Sequence, residues 1–189
     1  SAPAGMSYYR FLPRAWIGSF KAGLREENAM RARAKSTDLH PYALYIGGAL
    51  ACVFLAFIIG GFLGVIKYIL LAGYASAQLM LSDYVQHYGL RRREVAPGKY
   101  EPVGPAHSWN SPQWFTSLLM LNAPRHSDHH AHPMKPYPAL ELTADMPQLP
   151  RSLPAMATLA LIPPLWRKVM DPRVAKLVRT TEQAEDDGL

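Results

Sequence analysis

Cysteine is almost missing from this chain: its 189 residues hold one, Cys52. A lone thiol excludes an internal disulfide, a CxxC zinc knuckle and a thiol pair, so any metal held here must rest on histidine. Formal charge is missing over residues 42–81, where Lys67 stands alone. Such a stretch is about twice the roughly 20 residues needed to cross a bilayer, and it leaves little room for an ordinary soluble globule. Glycine-rich phosphate loops and basic repeats interleaved with aromatics are both absent. The formal net charge of +6 therefore calls for no nucleic acid, because basic residues beside membrane spans meet anionic headgroups directly. There is no internal repeat. The start, Ser1-Ala2-Pro3-Ala4-Gly5, lacks both an initiating Met and the apolar core of a signal peptide, so the chain reads as cut from something longer.

What is present is distributed unevenly. Gly60-Gly61 and Gly64 punctuate the middle of the apolar stretch, which makes two spans more economical than one. Residues 41–59 run out, a tight glycine turn follows, and 62–88 run back. The alternative, a long buried hairpin in a soluble bundle, fails for want of enough other apolar residues to wrap it. Arg10, Arg14, Lys21, Arg25, Arg31, Arg33 and Lys35 precede the hairpin, and Arg91, Arg92, Arg93 and Lys99 follow it. The positive-inside rule thus places both ends in the cytoplasm. Some of these bases also suit an acidic soluble partner.

Outside the spans, residues 11–35 are expected to form an amphipathic helix on the membrane surface, with Trp16, Phe20 and Leu24 at turn-like spacing. Residues 91–111, rich in Pro and Gly, read as loop with short extended pieces. Residues 114–121 form an apolar approach to a histidine-rich helix. The apolar run 155–166, broken by Pro163-Pro164, is too short to span and fits a surface-lying or re-entrant helix. The fold class expected is all-α, an integral-membrane helical protein. Its parts are an interfacial segment at 1–40, a two-span hairpin at 41–88, a cytoplasmic metal-binding region at 89–180 and an acidic, frayed tail at 181–189.

Chemistry concentrates in Arg125-His126-Ser127-Asp128-His129-His130. On a helix the i, i+3, i+4 spacing turns three imidazoles toward one side, and imidazole is the commonest neutral nitrogen ligand for iron, zinc and copper. A solvated histidine-rich turn is the bland alternative. His87 ends the second span one turn after Asp83, where a greasy substrate and a soluble reductant could meet. A lone histidine there is commonly a capping or interfacial residue, and it is the triplet beside it that favours a metal site.

Two motifs carry a family resemblance. Asp83-Tyr84-Val85-Gln86-His87-Tyr88-Gly89-Leu90 resembles the Asn-Tyr-x-Glu-His-Tyr-Gly-Leu motif of integral-membrane alkane 1-monooxygenases. Leu121-Asn122-Ala123-Pro124-Arg125-His126-Ser127-Asp128-His129-His130 resembles their Leu-Gln-Arg-His-Ser-Asp-His-His box. Phe11-Leu12-Pro13-Arg14, Ile162-Pro163-Pro164-Leu165-Trp166 and Met170-Asp171-Pro172-Arg173 are also similar to the family.

The resemblance implies a non-haem diiron enzyme of the membrane desaturase and hydroxylase superfamily. Such an enzyme sits as a multi-pass protein of the bacterial inner membrane, with its metal site on the cytoplasmic side. It hydroxylates the terminal carbon of medium-chain n-alkanes with O2, using electrons from rubredoxin or ferredoxin served by an NAD(P)H-dependent reductase. Carried over by position, His87, His126, His129 and His130 are iron ligands, and no catalytic residue beyond the ligands is implied. Asp83, Gln86 and Asp128 are candidate outer partners of the ligands, Asp83 standing where the family has Asn and Gln86 where it has Glu. His107 and His132 match no motif histidine, and solvent-facing or outer-partner roles are expected for them. The family's two earlier histidine boxes have no counterpart in these residues. The chain is therefore expected to be a C-terminal half, inactive without an N-terminal half.

Alternatives remain at this stage. A fatty-acid desaturase or an aromatic side-chain hydroxylase shares the His-x-x-His-His spacing, and the His-Tyr-Gly-Leu segment favours alkanes. A membrane metal-binding or transport module would need ionisable residues within the spans, and Ser76, Gln78 and Asp83 all lie toward one end.

Overall fold

The computed structural model describes residues 1–186, with backbone alone for 181, 182 and 184–186. It is mostly helical. The helices are α1 (Tyr8–Ala34), α2 (Pro41–His87), α3 (Trp114–Leu119), α4 (His126–Ala131), α5 (Leu153–Ala160) and α6 (Pro163–Asp186); one two-stranded antiparallel ribbon pairs β1 (Glu94–Ala96) with β2 (Lys99–Tyr100). The chain divides into two units, Leu12–Met80 and the remainder, Ser1–Phe11 with residues from Leu81 onward.

In the first of these units α2 carries the long apolar run, with a mean hydropathy of 2.7 over its most apolar window and none of that window buried. The helix breaks once, at Gly61 (φ 58°, ψ −152°), a left-handed conformation that favours glycine. Beyond the break Gly64 comes back against the Ala56 carbonyl oxygen, leaving no room for a Cβ. The backbone therefore departs from helix among the glycines. The 35–40 connection is tied down locally: His40 Nε2 lies 2.9 Å from Asn28 Oδ1, and the Tyr42 ring meets Phe20 edge-on at 5.1 Å. Trp16 and Phe20 on α1 are exposed and Leu24 is half-buried.

The second unit has a true core. Tyr84, Tyr88 and Trp166 are fully buried with ring centroids 5.2–5.4 Å apart in tilted and edge-on arrangements, and Met156, Met170 and Leu140 are buried in the same unit. The phenols are satisfied as burial demands: Tyr84 donates to the Met6 carbonyl at 2.6 Å, and Tyr88 donates to Asp171 Oδ1 at 2.6 Å while accepting the Gly5 N–H at 2.7 Å. Helix α1 begins at Tyr8, three residues before the expected 11, because Tyr8 and Phe11 pack on Tyr84 and the Ser7 carbonyl accepts the Arg10 and Phe11 amides. Gly89 (φ 74°) closes α2, and its N–H donates to the Ala2 carbonyl at 2.8 Å.

Pro163 and Pro164 break the apolar run as expected and then start α6, where a missing N–H costs nothing. Met156, Ala160 and Trp166 from this run, with Leu153 just before it, turn into the core, while Leu161, Ile162 and Leu165 stay exposed. The surface-lying expectation for 155–166 thus describes its outward side only. Of the acidic tail expected at 181–189, residues through Asp186 continue α6, and 187–189 lie outside the described residues.

Candidate metal centre

Three imidazoles converge. His87 comes from the last turn of α2, and His126 and His130 from α4; one ring nitrogen of each lies within 4.8 Å of the others. His126 Nε2 is the hub, 3.2 Å from His87 Nε2 and 3.0 Å from His130 Nε2. Two nitrogens each about 2.1 Å from a shared ion would stand about 3.0 Å apart at right angles, so the spacing suits a common metal.

The environment keeps the rings neutral. Burial, and then the neighbouring imidazoles of His87, His130 and His129, pull the His126 pKa down to about 3, against a hydrogen bond to the Ala123 backbone. Burial, and then the imidazoles of His87 and His129, lower that of His130, with Asp83 opposing. Neutral imidazole is the form that ligates. The second nitrogen of His87, Nδ1, donates to the His107 carbonyl at 3.2 Å, which leaves Nε2 with its lone pair facing His126.

His129 stands apart from the other three. Its ring stacks on Tyr137 at 5.3 Å, with its centroid 6.3 Å from that of His126. Its Nδ1 is buried without a hydrogen-bond partner. A buried, unpartnered nitrogen near three convergent ones is a further potential metal donor.

The expected outer partners divide. Asp83 lies near the cluster, its Oδ1 3.7 Å from His87 Nε2. Gln86 is buried and holds the scaffold: its Oε1 accepts the Ser82 hydroxyl at 2.9 Å and its carbonyl accepts the Trp109 amide at 2.7 Å. Asp128 faces away from the imidazoles and clamps the loop after α4. It pairs with Lys135 at 2.9 Å and His132 at 2.8 Å, and accepts the Glu141 amide at 2.7 Å. Burial pushes the Asp128 pKa up, but these donors outweigh it and hold it at about 2.

Residues without a motif also shape the site. Asn110 is fully buried; it donates to Ser127 Oγ at 2.7 Å and accepts the Ser127 amide at 2.9 Å, seating the first turn of α4. The short 3-10 turn Pro105–His107 lies between His87 and α4, and an open cleft of about 760 Å³ beside it is lined by Asp83, His87, His107, His130, Arg91 and Tyr100. Its Gly-Pro-Ala-His sequence announces a turn but not its neighbours.

The family model described as "Fatty acid desaturase" matches residues 1–160. Alkane 1-monooxygenase 1 of Pseudomonas aeruginosa is 41% identical over 186 residues, covering 92% of this chain and 46% of the relative. Alkane 1-monooxygenase 2 of Alcanivorax borkumensis is 38% identical over 177 residues, with 92% and 46% covered. Alkane 1-monooxygenase of Acinetobacter baylyi is 36% identical over 177 residues, with 92% and 43% covered. The chain spans about half the length of these curated relatives. Since the matched 1–160 takes in both histidine-bearing elements, the chain belongs to the fatty acid desaturase family.

Proposed function

We propose that this chain is the histidine-bearing part of a membrane non-haem diiron alkane 1-monooxygenase, acting on the terminal carbon of medium-chain n-alkanes with O2. The observation that carries the reading is the convergence of His87, His126 and His130 as neutral imidazoles, in a chain whose relatives bear that name. His87, His126 and His130 hold one ion, and His129, with its unpartnered nitrogen, serves a second. Iron held there would supply the redox chemistry that reduces O2 and turns its oxidising power on an unactivated C–H bond, which no protein side chain can do. The protein's own part is to keep the rings unprotonated by burial and to aim Nε2 of His87 and His126 at one point.

Four imidazoles are few for two irons. The proposal therefore includes further ligands from polypeptide corresponding to the part of the relatives that this chain does not match. It also includes two crossings of the membrane by α2 around Gly61, with both basic flanks and the metal site on the cytoplasmic side of a bacterial inner membrane. Electrons come from a rubredoxin or ferredoxin and its NAD(P)H-dependent reductase.

The test is to express the chain with and without that complementary polypeptide, then measure iron and 1-octanol formed from octane with a rubredoxin system. Two irons and product only from the pair are expected. Tight zinc binding by the chain, with no product from either preparation, would overturn the reading in favour of a metal-handling module.

A further inference from the structure

The 3-10 turn Pro105–His107 touches both elements that carry the convergent imidazoles. Its last carbonyl, that of His107, accepts His87 Nδ1–H at 3.2 Å; its first, that of Pro105, accepts the hydroxyl of Ser127, next to His126, at 2.7 Å. Ser108 Oγ stands 3.4 Å from the same His87 nitrogen. Three residues of 3-10 helix are not stiff by themselves, since a single main-chain bond, His107 N–H to the Gly104 carbonyl at 3.1 Å, closes the turn.

The His107 side chain closes it a second time. Its Nδ1 accepts the Gly104 N–H at 2.8 Å, which assigns the ring proton to Nε2, and Nε2 donates to Glu101 Oε1 at 3.1 Å. Both ring nitrogens are used, so His107 is no ligand. Glu101 is itself fixed at the base of the β1–β2 ribbon: the same Oε1 accepts the Arg93 amide at 2.7 Å, the Glu101 amide bonds the Arg93 carbonyl at 3.0 Å, and the Arg93 guanidinium lies 3.7 Å from Oε2. A continuous path of hydrogen bonds thus runs from the ribbon through Glu101 and His107 to His87.

We propose that His107, held by Glu101, is a positioning residue that fixes the tautomer and ring orientation of His87 for metal binding. The inference rests on the metal-site reading above. It assigns a task to two residues outside every motif, and it separates them from the fold, because Tyr84, Tyr88 and Trp166 make their core without either.

The test is a Co2+ titration of the full chain in detergent, read by the visible ligand-field spectrum, with thermal unfolding followed in parallel. His126→Ala serves as the reference for loss of the site. His107→Ala and Glu101→Ala keep the His107 carbonyl but loosen the turn that aims it, so they are expected to weaken Co2+ binding up to about 10-fold, the low end of the cost of losing a partner that orients a ligand, and to shift the spectrum while leaving the metal-free melt in place. Glu101→Gln keeps an oxygen for both the Arg93 amide and the His107 ring, so it should bind Co2+ like the parent. If the parent binds, His126→Ala does not, and both alanine variants bind like the parent, the positioning role is overturned and the metal site stands. If the parent fails to bind, or His126→Ala changes nothing, the metal site falls and the inference with it. Should His107→Ala not fold, the Glu101 pair decides: equal affinities of the alanine and glutamine variants overturn the proposal.

Discussion

The two units of this chain handle apolar surface in opposite ways. In Leu12–Met80 the large side chains stay outside, Leu50 at 64% exposure and Leu70 at 68%. In the unit containing the histidines, Trp166, Tyr84 and Met170 are at 0%. One set of residues is arranged to be solvated by something apolar, the other to exclude solvent by packing. The first kind of structure is specified by composition and tolerates exchange of one apolar residue for another. The second is specified by shape and by individual hydrogen bonds, and it is the kind that can hold three imidazoles together at one point.

The sharpest way to break the contrast is to remove bulk from each side. Trp166→Ala should cost about 3–5 kcal/mol, because it opens a cavity among Tyr84, Tyr88 and Met170, and thermal unfolding of the histidine-bearing unit would register it. Leu50→Ala should leave that melt unchanged. Trp166→Phe is expected to be far milder than Trp166→Ala, since the indole N–H has no partner to lose.

A charge inverts the comparison. Leu50→Asp should oppose membrane insertion by roughly 2.5–3.5 kcal/mol, shifting the protein out of the carbonate-resistant membrane fraction. Recovery of the variant unchanged in that fraction would remove the reading of α2 as a lipid-solvated helix.

A smaller effect isolates one polar contact in the packed unit. Tyr88→Phe keeps the ring but loses the bond to the Asp171 carboxylate and the acceptor for the Gly5 amide. A loss of about 1–3 kcal/mol in chemical denaturation is expected.

A further effect is graded with pH. The His126 pKa falls from 6.5 to about 3 on folding, so the unfolded chain binds its proton first. The stability linked to His126 is fully present above pH 6.5 and drains away as the pH drops toward 3. Asp128, lowered from 3.8 to about 2, adds a second loss over that lower window. Melts of the metal-free chain across this range should show both limbs, and His126→Ala should reduce the upper one, to which His87 and His130, also lowered by burial, add their share, while leaving the lower one in place.

Much of this was legible in the residues, for different reasons. The apolar helix and its break follow from the uncharged run and from Gly60-Gly61, because hydropathy and backbone freedom are local properties. The histidine box was legible as a cluster but not in its details. Steps of about 100° per residue put His130 some 40° to one side of His126 and His129 some 60° to the other. Only one of them can share the tight meeting with His126, and the structure brings in His130 while His129 stacks on Tyr137. Asp128, two residues from His126, falls on the far side of α4 and so clamps Lys135 and His132. His107 and Glu101 carried no motif, and their part depends on a turn meeting a helix end about twenty residues away in sequence, which no local pattern encodes.

The most direct test of the account is iron K-edge X-ray absorption on the iron-loaded protein, with His126→Ala beside it. The account predicts imidazole outer-shell scattering from several histidines in the parent, and loss of most of that signal with the iron in the variant. Iron coordinated by oxygen donors alone, or an unchanged histidine signal in His126→Ala, would contradict it.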